Sequence, residues 1–256
     1  MELTHVAFAA VDLACSIISE VGDNRIALRK GDRDYSTEKD IRIELAVRKY
    51  LQSQTPGCPL LAEEFTPNIG RFDRAWVFDP IDGTVNFSRN HPLFGVSLAL
   101  VTPERPLIAV IALPGLSRRY HAEDGAGAYL NGRRLSVSKN EKLIDCIVAM
   151  GDFAKSGDIH LKNVERLDAL TKLSEKCLRV RMHGSAAVDM CLVADGTIDA
   201  SVILSNLAWD VQAGVLLVRE SGGSVVDRKG REHTLDSRET ICTNKSNQAD
   251  LLAALG

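Results

Sequence analysis

Apolar residues recur at intervals of three and four over residues 3–21, and again over 38–52, "EKDIRIELAVRKYLQ". This spacing predicts two amphipathic helices, the second with Ile41, Leu45 and Val47 turned inward. Thr37 stands where the N-cap of the second helix belongs. Between them "NRIALRKGDRDYS" is short, basic and turn-rich and reads as a strand-turn segment. "PLLAEEF", 59–65, reads as a strand that ends on two acids. From 75 to 129 the pattern becomes one of strands, "AWVFD", "GVSLALV", "LIAVIALP", "RRYHAE" and "GAYLNG", the last closing on an Asn131-Gly132 turn. The first half therefore predicts helices laid over a largely antiparallel sheet.

The second half alternates. "DCIVAMG" reads as a strand, 159–175 as a helix, "LRVRM" as a strand and 184–194 as a helix. "IDASVIL" follows as a strand, 208–221 as a helix, then strands at "GSVVD" and "TICTN" and a closing helix from Ser246. Such alternation predicts an α/β layer with helices on both sides of its sheet. No internal repeat or long linker separates the halves, so 1–140 and 141–256 are expected to form one compact unit, with the boundary in "SVSKNEKLID".

Composition narrows the function class. The 256 residues carry 31 Lys+Arg against 34 Asp+Glu, a net charge of -3, which gives no electrostatic case for nucleic acid or an anionic membrane as partner. No apolar run approaches the roughly 20 residues that span a bilayer. The N-terminus lacks a basic leader and carries Asp12 within its apolar part, unlike a signal peptide. Six cysteines lie far apart without any C-x-x-C, which disfavours zinc and fits a reducing, cytoplasmic compartment.

Candidate chemistry lies in the acids. Glu63, Asp79, Asp82 and Asp210 each fall where a predicted strand gives way to a turn or helix. Oxygen donors without matched His or Cys suit Mg²⁺ or Mn²⁺, and the Ile81 carbonyl between the two aspartates adds one more donor. Gly83 and Thr84 then open a short predicted helix, whose free N–H groups would receive a phosphate beside the cation. Each feature alone also has a plain structural reading. Asp79 and Asp82 suit an Asx-turn, Glu63 and Glu64 a solvated strand end, Asp40 the acidic half of a capping box after Thr37, and Asp210 a helix cap. Four strand-end acids without counterions in sequence nevertheless need a common cation.

"DPIDGTVNF" (79–87), "AEEF" (62–65) and "WDVQAGVLLVRESGG" (209–223) resemble the inositol monophosphatase family of Mg²⁺-dependent, lithium-sensitive phosphatases. "GAGAYLNGRRLSVS" (125–138) and "GSAAVDMCLVADGTIDA" (184–200) extend the resemblance, in family order, over nearly the whole chain. It implies a layered α-β-α-β-α sandwich, paired as a homodimer, that hydrolyses a small phosphate ester. By position, Glu63, Asp79, the Ile81 carbonyl, Asp82 and Asp210 match the metal ligands, for about two or three Mg²⁺ ions with Mn²⁺ as an alternative. Thr84, backed by Asp40 and with Glu63 beside the ions, matches the catalytic group that orients the attacking water. Gly83 and Thr84 match the phosphate contacts; Gly184, Ser185 and Ala186 match the segment lining the substrate pocket. Family substrates include inositol 1-phosphate, histidinol phosphate, fructose 1,6-bisphosphate and 3'-phosphoadenosine 5'-phosphate; a regulatory relative that acts through a partner is the alternative of another class.

The sequence departs from the pattern at Ile203. Inositol-specific members carry a Glu seven residues before the last aspartate, and isoleucine accepts no hydrogen bond. Ala62 replaces the usual Gly, and the loop from Glu64 to Asp79 is short. Asp152 and Lys155, in "AMGDFAKSGD" (149–158), are candidates for substrate selection, with a solvated loop as the alternative. Arg179 and Arg181 would share one strand face and are candidates for phosphate or dimer contacts. "GAGAYLNG" is not a dinucleotide fingerprint, "GSAAVD" is not a serine-hydrolase elbow, and His91, His121, His160 and His183 lack metal-ligand spacing.

Overall fold

The structure, a computed structural model, describes residues 3–20, 26–29, 35–65, 70–155 and 157–256. Its first half runs α1 (Leu3–Ser19), β1 (Ile26–Arg29), β2 (Tyr35–Thr37), α2 (Glu38–Gln54), β3 (Leu60–Ala62), β4 (Ala75–Asp82), α3 (Thr84–Ser88), β5 (Gly95–Val101), β6 (Pro106–Leu113), β7 (Arg118–Glu123), β8 (Gly127–Leu130) and β9 (Arg133–Arg134). The second runs β10 (Ile147–Met150), α4 (Ile159–Lys176), β11 (Arg179–Arg181), α5 (Ala186–Ala194), β12 (Ala200–Ile203), α6 (Ala208–Glu220), β13 (Ser224–Val226), β14 (Thr240–Thr243) and α7 (Gln248–Leu255). The turn between β1 and β2 lies outside the described residues.

Among the described residues β3 to β9 form a seven-stranded sheet in sequence order, antiparallel except for β3 beside β4. A five-stranded sheet takes the order β11-β10-β12-β14-β13, with β10 parallel to both neighbours. The helices α1 and α2 cover one face of the large sheet, α5 and α6 fill the space between the two sheets, and α4 and α7 cover the outer face of the small one. This is the expected α-β-α-β-α sandwich. Because both faces of each sheet are covered, β5 is buried at every position and reads as a continuous apolar run. The central cluster joins Val77, Ile111 and Tyr120 of the large sheet to Val188, Leu217 and Cys242 of the second half. Close helix contact there needs Gly214, since a Cβ would stand 2.6 Å from the Met190 sulfur.

Of the α2 positions expected to turn inward, Val47 is buried, Ile41 is half-buried and Leu45 is not. Leu45 is 51% exposed, and the buried stripe is Ile43, Glu44, Val47 and Leu51. The reason is Glu44, whose carboxylate is drawn inward by backbone N–H groups it caps from another segment. Its Oε2 accepts from Glu64 N at 2.7 Å, and its Oε1 from Phe65 N at 2.9 Å and Arg48 Nη2 at 2.7 Å. A charged residue thus takes an inward helical position that hydrophobic periodicity assigns to a neighbour.

Candidate active site

At the end of β4 the chain places two acids on one face of a sheet although they are three residues apart. Trp76, Phe78 and Ile81 belong to the core beneath α1 and α2, whereas Ala75 and Val77 face α5 and α6. An uninterrupted strand would put Pro80, not Ile81, on the Trp76 face. Pairing with β5 slips between Asp79 and Asp82, at the one residue without an N–H to lend the ladder. The bulge restores the alternation one residue late, so Asp79 and Asp82 both follow Val77 toward the interior cavity. Asp79 Oδ1 accepts the Ile81 N–H at 3.0 Å, the Asx-turn expected of this stretch.

Gly83 then takes φ +88° as the N-cap of α3. A Cβ there would meet the Leu93 carbonyl and Ser185 Cβ, each at 3.2 Å, so backbone and space both require glycine. Ser185 caps α5 and donates its hydroxyl to Asp82 Oδ2 at 2.6 Å, and Ala187 N donates to the same oxygen at 2.6 Å. The helix α5 of the second half is thereby tied to the acid of the first. Asp210 does not open α6 as an N-cap; it is the third residue of the helix, reaches back to accept the N–H of the N-cap Leu207 at 2.7 Å, and borders the same cavity.

That cavity, about 420 Å³, is bordered by Glu63, Asp79, Ile81, Asp82, Gly83, Thr84, Gly184, Ser185, Ala186, Ile203 and Asp210. Asp40 lies behind it. Its Oδ2 accepts the Thr37 N–H at 2.8 Å while its own N–H donates to Thr37 Oγ1 at 3.4 Å, a capping box; Oδ2 also accepts the Thr37 hydroxyl at 2.5 Å, and Oδ1 stands 3.5 Å from the Thr84 hydroxyl. The nearer acceptor for Thr84 is the Ile81 carbonyl, at 3.1 Å. A larger hollow of about 1160 Å³, bordered by Thr55, Arg71, Arg74 and Leu235 among others, contains none of the four strand-end acids.

The electrostatics of the acids are unfavourable as they stand. Asp79 is pushed well above the ordinary carboxylate range, by burial first and then by Glu63, Asp82, Asp210 and Asp40. Burial raises Asp82 to about 6 against the opposing hydrogen bonds from Ser185 and Ala187, and raises Asp210 to about 7. Only a positive charge among them relieves this repulsion without protonation. An all-oxygen donor set of carboxylates and a carbonyl fits a hard divalent cation. Among the described residues no three His, Cys, Asp or Glu side chains close into a ready-made cage, and the acids stand around one cavity, Asp79 and Asp210 tied to N–H groups of their own turns and Asp82 to donors of α5.

Several residues of the cavity wall escape sequence reasoning. Tyr35, Phe153, Leu204, Ser205, Asp189 and Arg166 also border the cavity, beside the anticipated Asp152 and Lys155. Asp189 is buried, raised to about 6 by that burial, and held by His183 Nδ1 at 2.6 Å. Arg179 and Arg181 are exposed, share a face and do not border the cavity, because β11 is the edge of the small sheet; the cationic side chains that border it are Lys155, Lys162 and Arg166. Nothing in the spacing around Arg166 marks it, since its helix position reaches the cavity only through the packing of α4 on the small sheet.

Carboxylates that call for a cation, a glycine-opened turn beside them and a substrate-sized cavity between two sheets define a class, the phosphoric monoester hydrolases that work with a bound metal. The model of the inositol monophosphatase family matches residues 1–256, and the chain belongs to that family. It is 36% identical over 239 residues to the inositol-1-monophosphatase of Mesorhizobium japonicum, covering 92% of this chain and 88% of that protein. It is 34% identical over 221 residues to the fructose-1,6-bisphosphatase/inositol-1-monophosphatase of Thermotoga maritima, covering 86% and 82%. Among solved structures, the extragenic suppressor protein SuhB of Bartonella henselae superposes with a TM-score of 0.90 at 30% identity, over 100% of this chain and 98% of that one. Family members are metal-dependent phosphomonoesterases, and so is this chain. No helix among the described residues is long and apolar enough to cross a membrane.

Proposed function

We propose that this cavity hydrolyses a small, soluble phosphorylated metabolite with Mg²⁺ as its cofactor and water as nucleophile. The observation that carries the reading is that Glu63 after β3, Asp79 and Asp82 of β4 and Asp210 of α6, from three separate segments, border one cavity together with Gly83 and Thr84. Glu63, Asp79, the Ile81 carbonyl, Asp82 and Asp210 would hold the cation. When bound, such ions acidify a water, neutralise the phosphate and stabilise the leaving oxygen. Thr84 positions that water. Its hydroxyl proton points to the Ile81 carbonyl or to Asp40, which leaves the oxygen free to accept a proton from water. Gly83 and Thr84 N–H groups receive phosphate oxygens, and Gly184, Ser185, Ala186 and Ile203 border the alcohol portion.

The names of the relatives make inositol 1-phosphate and fructose 1,6-bisphosphate the first substrates to try. Ile203 on the cavity wall weakens the case for a polyol gripped through its hydroxyls. The family resemblance supports a homodimer. The six free cysteines fit a cytoplasmic protein. Phosphate release from about twenty phosphorylated metabolites, with Mg²⁺ and with chelator, tests the reading: release that needs Mg²⁺ supports it, and metal-independent release or none overturns it.

A further inference from the structure

Arg166 projects from α4 to the cavity wall and is only 3% exposed. Its guanidinium meets no carboxylate among the described residues. Nε donates to the Asp152 carbonyl at 3.1 Å, Nη1 to the Lys162 carbonyl at 3.1 Å and Nη2 to Ser205 Oγ at 2.7 Å. Its chain neighbour Glu165 favours the charge from a distance but is itself paired with Arg228 at 3.0 Å. Three neutral acceptors use three of five N–H groups and leave the positive charge without a counterion. Burial accordingly pulls the guanidinium down from its usual range. A buried charge of this kind is costly to keep unless something anionic completes it.

The cradle is built at the ends of two neighbouring parallel strands, for Asp152 follows β10 and Ser205 follows β12. It therefore belongs to the wall contributed by the small sheet, whereas Glu63, Asp79 and Asp82 come from the large one. Ile203 and Leu204 border the cavity on the same side and their side chains offer nothing to a hydroxyl, while Lys155, Lys162 and Arg166 outnumber the one carboxylate of that wall, Asp152. The wall thus carries a positive excess toward an anion. A guanidinium presents paired donors in the plane that a carboxylate or phosphate accepts.

Resting on the phosphatase reading above, we propose that Arg166 receives a second anionic group on the alcohol portion of the substrate. The preferred substrates are then phosphate monoesters that carry a further phosphate or carboxylate. The cleaved ester sits at Gly83 and Thr84, and the second anion anchors the molecule from the opposite sheet.

The test compares kcat/KM, with Mg²⁺, for fructose 1,6-bisphosphate, 3-phosphoglycerate and glycerol 1-phosphate. The wild-type protein is expected to favour at least one of the first two over the third by tenfold or more. Preference for fructose 1,6-bisphosphate alone assigns the site to phosphate; preference for 3-phosphoglycerate alone assigns it to carboxylate. In Arg166→Met that preference ratio should fall about tenfold, mainly through KM, and Arg166→Lys should recover part of it. Equal efficiency on all three esters in the wild type, or an Arg166→Met variant whose losses fall equally on all three, overturns the inference while leaving the phosphatase intact. Release from none of the three overturns this inference, and the panel of about twenty esters then decides the phosphatase reading; release indifferent to chelator overturns the metal-dependent reading and this inference with it.

Discussion

Asp210→Asn separates a cation site from a merely structural cluster of acids. Asparagine keeps an oxygen that can accept the Leu207 N–H, so the cap of α6 survives while the charge does not. In the folded protein without metal, burial raises Asp210 to about 7, the Leu207 N–H opposes this, and Asp82 and Glu63 push it up again. In the unfolded chain the group returns to about 3.9. Between these two values the folded state holds a proton that the unfolded chain has released, so the metal-free protein loses stability as pH rises from about 4 to 7. The full penalty above pH 7 is on the order of 4 kcal/mol, at about 1.4 kcal/mol for each pH unit. Proton sharing among the neighbouring acids reduces it to roughly half, which corresponds to about 4–8 °C in melting temperature for a chain of this size. Thermal melts in chelator should therefore place the variant above wild type by that margin at pH 8, with the gap closing toward pH 4. Saturating Mg²⁺ should reverse the order, because a cation at about 100 times its Kd adds roughly 2.7 kcal/mol to the protein that binds it. Phosphate release should be lost in the variant at every pH. A variant that melts at or below wild type at pH 8 in chelator, or that gains as much from Mg²⁺, would refute the reasoning.

Three further substitutions probe other parts of the site. Glu44→Ala leaves two partly buried N–H groups without their acceptor and Arg48 with only the Phe65 carbonyl, and should cost about 1–3 kcal/mol in urea unfolding while weakening Mg²⁺ binding through the Glu63 turn; unaltered stability would show that the Glu44 contacts are incidental. Gly83→Ala imposes a Cβ at φ +88° against the Leu93 carbonyl and should cost roughly 1–3 kcal/mol, with phosphate release reduced at least about tenfold; full activity would contradict the need for glycine there. Ile203→Glu should raise turnover of inositol 1-phosphate relative to other esters, and an unchanged ratio would show that this wall does not meet the alcohol.

Local chemistry was written plainly in the chain. Periodicity marked α1 and α2, which bury one face and keep the other wet, and the alternation of strand-like and helix-like runs marked α4 to α7, although α5 and α6 are buried almost all round between the sheets. Thr37, Asp79 and Asp210 advertised their caps and turns through contacts no more than three residues away. The ligand candidates Glu63, Asp79, Asp82 and Asp210 were legible for a related reason: acids at strand ends have no local use that explains them all. What the sequence could not contain was which distant surfaces meet. Glu44 turns inward because a loop twenty residues later needs its oxygens, and Leu45 yields its predicted place. Asp82 is held by Ser185 and Ala187, over a hundred residues away, once α5 slides between the sheets. Arg166 becomes part of the cavity only when α4 packs beside Ser205 and Asp152, and no pattern along one helix records that meeting. Short-range hydrogen bonding and period are properties of neighbouring residues and survive in one dimension. The pairing of buried charges depends on the closure of two sheets around shared helices, which only the folded chain decides.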